Sequence, residues 1–180
     1  MSTTTAVAPT PPGHVRDGRP APRWAVRVAH LIPLVTLPSG LWRVALVLGI
    51  PIGAFIDGEP VRVGGGEAAY ILSLSVTQEA LALLSLGLVR PWGEVFPRWL
   101  PLVGGRRVPP PFAETAATAG GVALILIWGY AAIGVLLHGD EMEFSPGGMA
   151  LLVTCYAPLL LWGPLLLALT VAYHRRRCRS

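Results

Sequence analysis

"AHLIPLVTLPSGLWRVALVLGIPIGAF", residues 29–55, is apolar enough to cross a bilayer. Yet it holds a helix breaker, Pro38, and a permanent cation, Arg43. A spanning helix needs about 20 predominantly apolar residues to cover the hydrocarbon. Three further stretches reach that length: "AAYILSLSVTQEALALLSLGLV" at 68–89, a run over 115–137 centred on "GGVALILIWGYAAIGVLL", and "ALLVTCYAPLLLWGPLLLALTVAY" at 150–173. The expected fold is therefore all-α, with four transmembrane helices. The composition agrees: the 180-residue chain is 53% hydrophobic and 13% charged. Soluble domains run at roughly 25% charged, so this much apolar surface does not suit a water-soluble core.

Charge placement orients the spans. The basic residues are all arginine, and twelve of the fourteen fall in three places. Arg16, Arg19, Arg23 and Arg27 precede span one. Arg90, Arg98, Arg106 and Arg107 lie between spans two and three, and Arg175, Arg176, Arg177 and Arg179 follow span four. The other two loops hold Asp57, Glu59, Arg62 and Glu67, then Asp140, Glu141 and Glu143. The positive-inside rule puts the arginine-rich ends in the cytoplasm, so both termini are expected inside a plasma membrane. Residues 1–22 are rich in Thr, Pro and Ala without periodicity. They read as a disordered tail ahead of a membrane domain at 23–174 and a basic tail at 175–180. The first apolar run begins too late and runs too long for a signal peptide.

The loop over 90–113, "RPWGEVFPRWLPLVGGRRVPPPF" in its main part, interleaves rings with guanidinium groups. Arg90, Trp92, Arg98, Trp99, Arg106 and Arg107 are expected in the headgroup layer, with rings at the interface and cations on anionic lipid phosphates. Its prolines prevent one long helix.

The polar residues inside the spans pose the sharper question. A charge at mid-bilayer costs roughly 2.5–3.5 kcal/mol on an insertion scale. Arg43 therefore needs a partner, and Glu79 in the next span is the simplest, as an interhelical ion pair. At about 100° per residue, Ser75, Gln78, Glu79, Ala82 and Ser85 share one side of span two. Thr36, Ser39, Gly40, Arg43 and Val47 share a side of span one, allowing for a kink at Pro38. Arg43, Gln78, Glu79, Ser75 and Ser39 are thus the expected intramembrane polar cluster. The carbonyl of Leu34, freed by Pro38, is expected to find a donor in Thr36, Ser39 or a neighbouring polar side chain. Pro158 and Pro164 suggest static kinks in span four. Ala116 with Gly120, and Ala117 with Gly121, are small-xxx-small pairs that allow close helix approach.

Little else carries chemistry. Cys155 reads as a buried thiol and Cys178 as an exposed one, with no metal-ligand or disulfide spacing. His30 and His174 fall at similar depth near the cytoplasmic side. They are expected to bind no cofactor, and no metal is expected. No nucleophile motif or phosphate loop is present. "HLIPLVTLPSGLWR" together with "VRPWGEVFPRWLPLVGGRRVP" resembles stretches of a family of uncharacterised small multi-pass membrane proteins of high-GC bacteria. The resemblance implies a bacterial plasma membrane and brings no catalytic residues. The leading expectation is a non-enzymatic accessory or scaffold module whose partners are anionic lipid headgroups and another protein or a second copy, with no nucleic acid. The alternatives are a small homo-oligomeric transporter with a polar path at Arg43, Gln78 and Glu79, and an intramembrane enzyme using Glu79 as acid or base.

Overall fold

A computed structural model describes residues 21–90, 93, 105, 108–139 and 143–177. The expected N-terminal tail up to residue 20, the interfacial residues Trp92, Arg98, Trp99, Arg106 and Arg107, and Cys178 lie outside the described residues.

Helix α1 runs from Arg23 to Val47 and contains both Pro33 and Pro38. It stops well before residue 55 for a local reason. Gly49 takes φ 72°, its N–H donates to the Leu46 carbonyl at 3.0 Å, and the Ile50 N–H donates to Ala45 at 3.0 Å. This paired closure uses a left-handed glycine to satisfy the last carbonyls, and Pro51 then blocks any continuation. The apolar run outlasts the helix because hydropathy does not register such a stop.

A short hairpin follows, with β1 at Phe55–Ile56 and β2 at Glu59–Pro60. Asp57 and Gly58 between them have φ of 51° and 76°. Two positive φ values in succession make the turn whose twist suits a hairpin, and Asp-Gly is a favoured pair there. The hairpin is a small departure from an all-helical expectation, and "FIDGEPV" carried its signal.

Helix α2 spans Gly65–Leu84 and closes in a 3₁₀ turn, Ser85–Leu88. Helix α3 spans Pro110–His138, opening with prolines where an N–H is not needed. The fourth apolar stretch is not one continuous helix. Helix α4, Pro146–Tyr156, passes through a 3₁₀ segment, Ala157–Leu161, into α5, Trp162–Arg177. Pro158 and Pro164 each delete a helical donor, which is a physical reason for the tighter segment between them.

Among the described residues, four helical stretches are long and apolar enough to cross a membrane: Arg23–Val47, Gly65–Leu88, Pro111–His138 and Pro146–Arg176. Together they suggest a multi-pass membrane protein. The helices pack in the order α2, α1, then α4 with α5, then α3. Among the described residues α2 and α3 share no packed interface, so they form the two flanks. The core where α1, α2 and the fourth stretch meet holds Ala25, Ala29, Ile32, Ala82, Leu159, Trp162 and Leu169.

At one end of the bundle the hairpin loop is clamped to the start of α4. The Phe55 N–H donates to the Glu143 carbonyl at 2.7 Å, and the Ser145 N–H donates to Gly53 at 2.8 Å. Gly58 donates to Glu143 Oε2 at 3.2 Å. Gly53, at φ 75°, lies so close that an added Cβ would stand 2.8 Å from Gly148 Cα. Ser145 also caps α4 by accepting the Gly148 N–H at 3.0 Å.

Candidate functional site

The α1–α2 interface centres on Gln78, which spends its whole amide across it. Nε2 donates to the Thr36 carbonyl at 3.2 Å and to Ser39 Oγ at 2.8 Å. Oε1 accepts from Arg43 Nη1 at 3.0 Å. Gln78, Thr36 and Ser39 are buried. The hydroxyls are engaged as well: Thr36 Oγ1 donates to Pro33 at 3.0 Å, and Ser39 Oγ donates to Thr36 at 2.8 Å. In hydrocarbon a polar atom has no water to fall back on, so this mutual pairing is what makes the set tolerable there. The donors of Thr36, Ser39 and Gln78 go to the carbonyls of Ile32, Pro33 and Thr36 and to Ser39 Oγ, and none of the three reaches Leu34. Hydroxyls on a helix bond the carbonyls three or four residues behind them, which Leu34 is not for either residue at a favourable angle.

The expected Arg43–Glu79 ion pair does not form. Arg43 gives a donor to Gln78, and its guanidinium lies over the Tyr156 ring with Cζ 5.5 Å from the centroid. Glu79 lies beside Gly40, and its Oε1 is buried without a hydrogen-bond partner. The reason is angular. Neighbours on a helix differ by about 100°, so Gln78 and Glu79 cannot both point at Arg43. The antiparallel register presents Gln78 to Thr36, Ser39 and Arg43, and delivers Glu79 to Gly40. Arg43 then turns towards α4, where an aromatic face offers a cation a second favourable contact. Ser75 is buried on the same side of α2 but bonds its own helix, donating to Ile71 at 3.1 Å.

Tyr156 is the residue that sequence reasoning missed. Trp42 of α1 meets it edge-on, with centroids 5.5 Å apart and planes at 85°. Trp128 of α3 meets it at 6.1 Å and 61°. Three spans therefore converge on one ring, which also receives Arg43. The available signal was three large aromatics well inside apolar runs instead of at their ends, where interfacial rings belong. The indole N–H groups of Trp42, Trp128 and Trp162 are buried without acceptors.

The opposite end of the bundle is basic and cross-linked. Arg90 Nη2 donates to His30 Nε2 at 3.1 Å, and His30 Nδ1 lies 2.7 Å from the Val26 carbonyl. A guanidinium only donates and a carbonyl only accepts, so this geometry needs the proton on Nδ1. His174 Nδ1 lies 2.9 Å from Glu114 Oε1, tying α5 to α3. Arg176 Nη2 donates to the Leu88 carbonyl at 2.9 Å and covers the Tyr173 ring at 5.6 Å. His30 and His174 thus have separate partners. Among the described residues no cluster of His, Cys, Asp and Glu could hold a metal ion.

Chemically, the bridge can hold two helices in register and present a fixed cation. A guanidinium does not release its proton and an amide does not titrate. Comparison with known protein families, curated proteins and solved structures finds no match.

Proposed function

We propose that this chain is a non-enzymatic accessory or scaffold module of a bacterial plasma membrane, with both termini cytoplasmic. Its arginine-rich end rests on anionic headgroups, and α1 bends at Pro38. One observation carries the reading: Gln78 commits both its donor and its acceptor capacity to α1. A transport path needs polar groups that exchange partners with a passing solute. Here the polar groups hold one another, which suits a rigid helix pair. Arg43 adds a fixed charge that is already engaged by Gln78 and Tyr156. The bend at Pro38 is supported by the missing N–H and by the hydroxyl bonds that Thr36 and Ser39 make within the same turn. The placement at the inner leaflet is supported by Arg23, Arg27, Arg90 and Arg175, which lie at one end of the bundle with exposed side chains.

The deciding experiment is reconstitution into vesicles containing phosphatidylglycerol. The expected result is proton and anion leakage equal to that of protein-free vesicles, with membrane-impermeant thiol reagents reaching Cys178 only from the cytoplasmic side. Flux that appears with the protein and disappears in a well-folded Glu79→Gln variant would replace this reading with the transporter.

A further inference from the structure

At the basic end of the bundle one cation is held in place by a histidine. The Nδ1–H of His30 donates to the Val26 carbonyl at 2.7 Å, which leaves Nε2 to accept from Arg90 Nη2 at 3.1 Å. A helical side chain covers the turn before its own Cα. The ring of His30 therefore brings Arg90, which follows the second span, to the turn of α1 that bears Arg27. Arg27 lies about 60° from His30 around the helix, and the side chains of Arg27, His30 and Arg90 are all exposed. Among the described residues neither guanidinium meets a carboxylate. Two cations from two spans thus come to one level of the bundle without an acidic side chain to offset them.

Below them the same side of α1 is apolar. Seven and fourteen residues on from Arg27, Leu34 and Leu41 return to within about 40° of it. Their side chains are 61% and 59% exposed. The stripe from Arg27 to Leu41 runs about 21 Å along the helix, which is half the roughly 40–45 Å of a bilayer with its headgroups.

We infer that Arg27 and Arg90 bind the phosphate of one anionic phospholipid, with its acyl chains along Leu34 and Leu41 and with His30 positioning Arg90. The inference rests on the reading that this end of the bundle meets anionic headgroups, and it narrows that contact to two of the exposed arginines. Charge complementarity selects the occupant. A phosphodiester offers oxygens to two guanidinium forks at once. In phosphatidylcholine the headgroup's own cation offsets that charge, whereas in phosphatidylglycerol nothing does. A soluble anion would match the arginines and leave a leaflet-deep leucine stripe unused.

The test is native mass spectrometry of the full chain in detergent micelles, titrated with phosphatidylglycerol or phosphatidylcholine. The first phosphatidylglycerol is expected to bind about three- to ten-fold more tightly than the first phosphatidylcholine. Arg27→Gln and Arg90→Gln should each bring that preference below about two-fold, while Arg175→Gln, at the same end, should leave it in place. His30→Leu removes no charge from the neutral ring, yet it should act like Arg90→Gln. His30→Gln, whose side-chain oxygen can accept from Arg90, should restore most of the preference. All four substituted side chains are exposed, so the packed interior is untouched. A preference that falls equally in Arg175→Gln and Arg90→Gln reports diffuse surface charge; it overturns the site and spares the headgroup reading. A preference that His30→Leu does not move also overturns the inference. So does glycerol phosphate that displaces the lipid at equal concentration, which would make this a free-phosphate site. Equal affinity of the wild type for the two lipids sinks the site and the headgroup reading together.

Discussion

The α1–α2 and α3–α5 interfaces hold membrane helices together by opposite means. Between α1 and α2, Gln78 reaches across with three hydrogen bonds, to Thr36, Ser39 and Arg43. Between α3 and α5 the helices meet at Gly121 and Gly163. There an added Cβ on Gly163 would stand 2.8 Å from the Gly121 carbonyl oxygen and 3.0 Å from the Ile125 nitrogen. Lipid tails are as apolar as leucine, so neither interface gains from escaping water. One relies on polar groups that have nowhere else to go, the other on backbone proximity. The difference teaches that a lipid-embedded fold can distribute its specificity. The hydrogen-bonded interface sets register, and the glycine interface sets distance.

The most damaging way to probe this contrast is Gly163→Ala. The obstruction it creates is backbone of α3, which cannot swing aside as a side chain can. The helices must separate along their contact, and overpacking of that kind costs about 2–3 kcal/mol. Steric-trap or denaturant unfolding in bicelles should register the loss. A variant as stable as the wild type would mean that α3 and α5 do not approach as closely as the glycines indicate.

Next comes Gln78→Leu. It removes all three interhelical bonds and leaves Arg43 with Tyr156 as its remaining partner. Interhelical hydrogen bonds in lipid average well under 1 kcal/mol each, so the expected total is about 1–2 kcal/mol. Gln78→Glu sharpens the comparison. It keeps an acceptor for Arg43 but turns a second acceptor towards the Thr36 carbonyl and Ser39 Oγ, where Nε2 now donates. If register depends on the amide, Glu should recover only part of the loss, read in the same unfolding assay. Full recovery would show that the Arg43 contact alone holds the pair.

How much of this was legible follows from the physics of each signal. Length and hydropathy located four apolar stretches because both are additive along the chain. They missed the stop at Gly49 and Pro51 and the Asp57–Gly58 hairpin, since those are set by single φ values. Helical periodicity put Ser39, Arg43, Ser75, Gln78 and Glu79 on facing sides. It could not choose between Gln78 and Glu79 as the partner of Arg43, because formal charge favoured one and a 100° rotation favoured the other. Tyr156 was illegible for a different reason. It receives Trp42 and Arg43 from α1 and Trp128 from α3, and only the packing order of the helices brings those together.

The finest test concerns two adjacent glycines that sequence spacing treats as equivalent. Gly120 and Gly121 each complete a small-xxx-small pair, with Ala116 and Ala117. A Cβ on Gly120 would lie 3.9 Å from Leu166 Cδ2, which is ordinary contact. On Gly121 it would lie 2.7 Å from Leu167 Cδ2 and 3.4 Å from the Gly163 carbonyl. Leu167 can move, so Gly121→Ala should cost about 0.5–1.5 kcal/mol, less than Gly163→Ala, whose neighbour is backbone. Gly120→Ala should stay within about 0.5 kcal/mol of the wild type. The order Gly163, Gly121, Gly120 is therefore a ruler laid across the α3–α5 contact: it falls from backbone obstruction, through a yielding side chain, to open packing. Unfolding measurements that reversed the two α3 glycines would rotate α3 by one residue against α5 and move the point of closest approach away from Gly163.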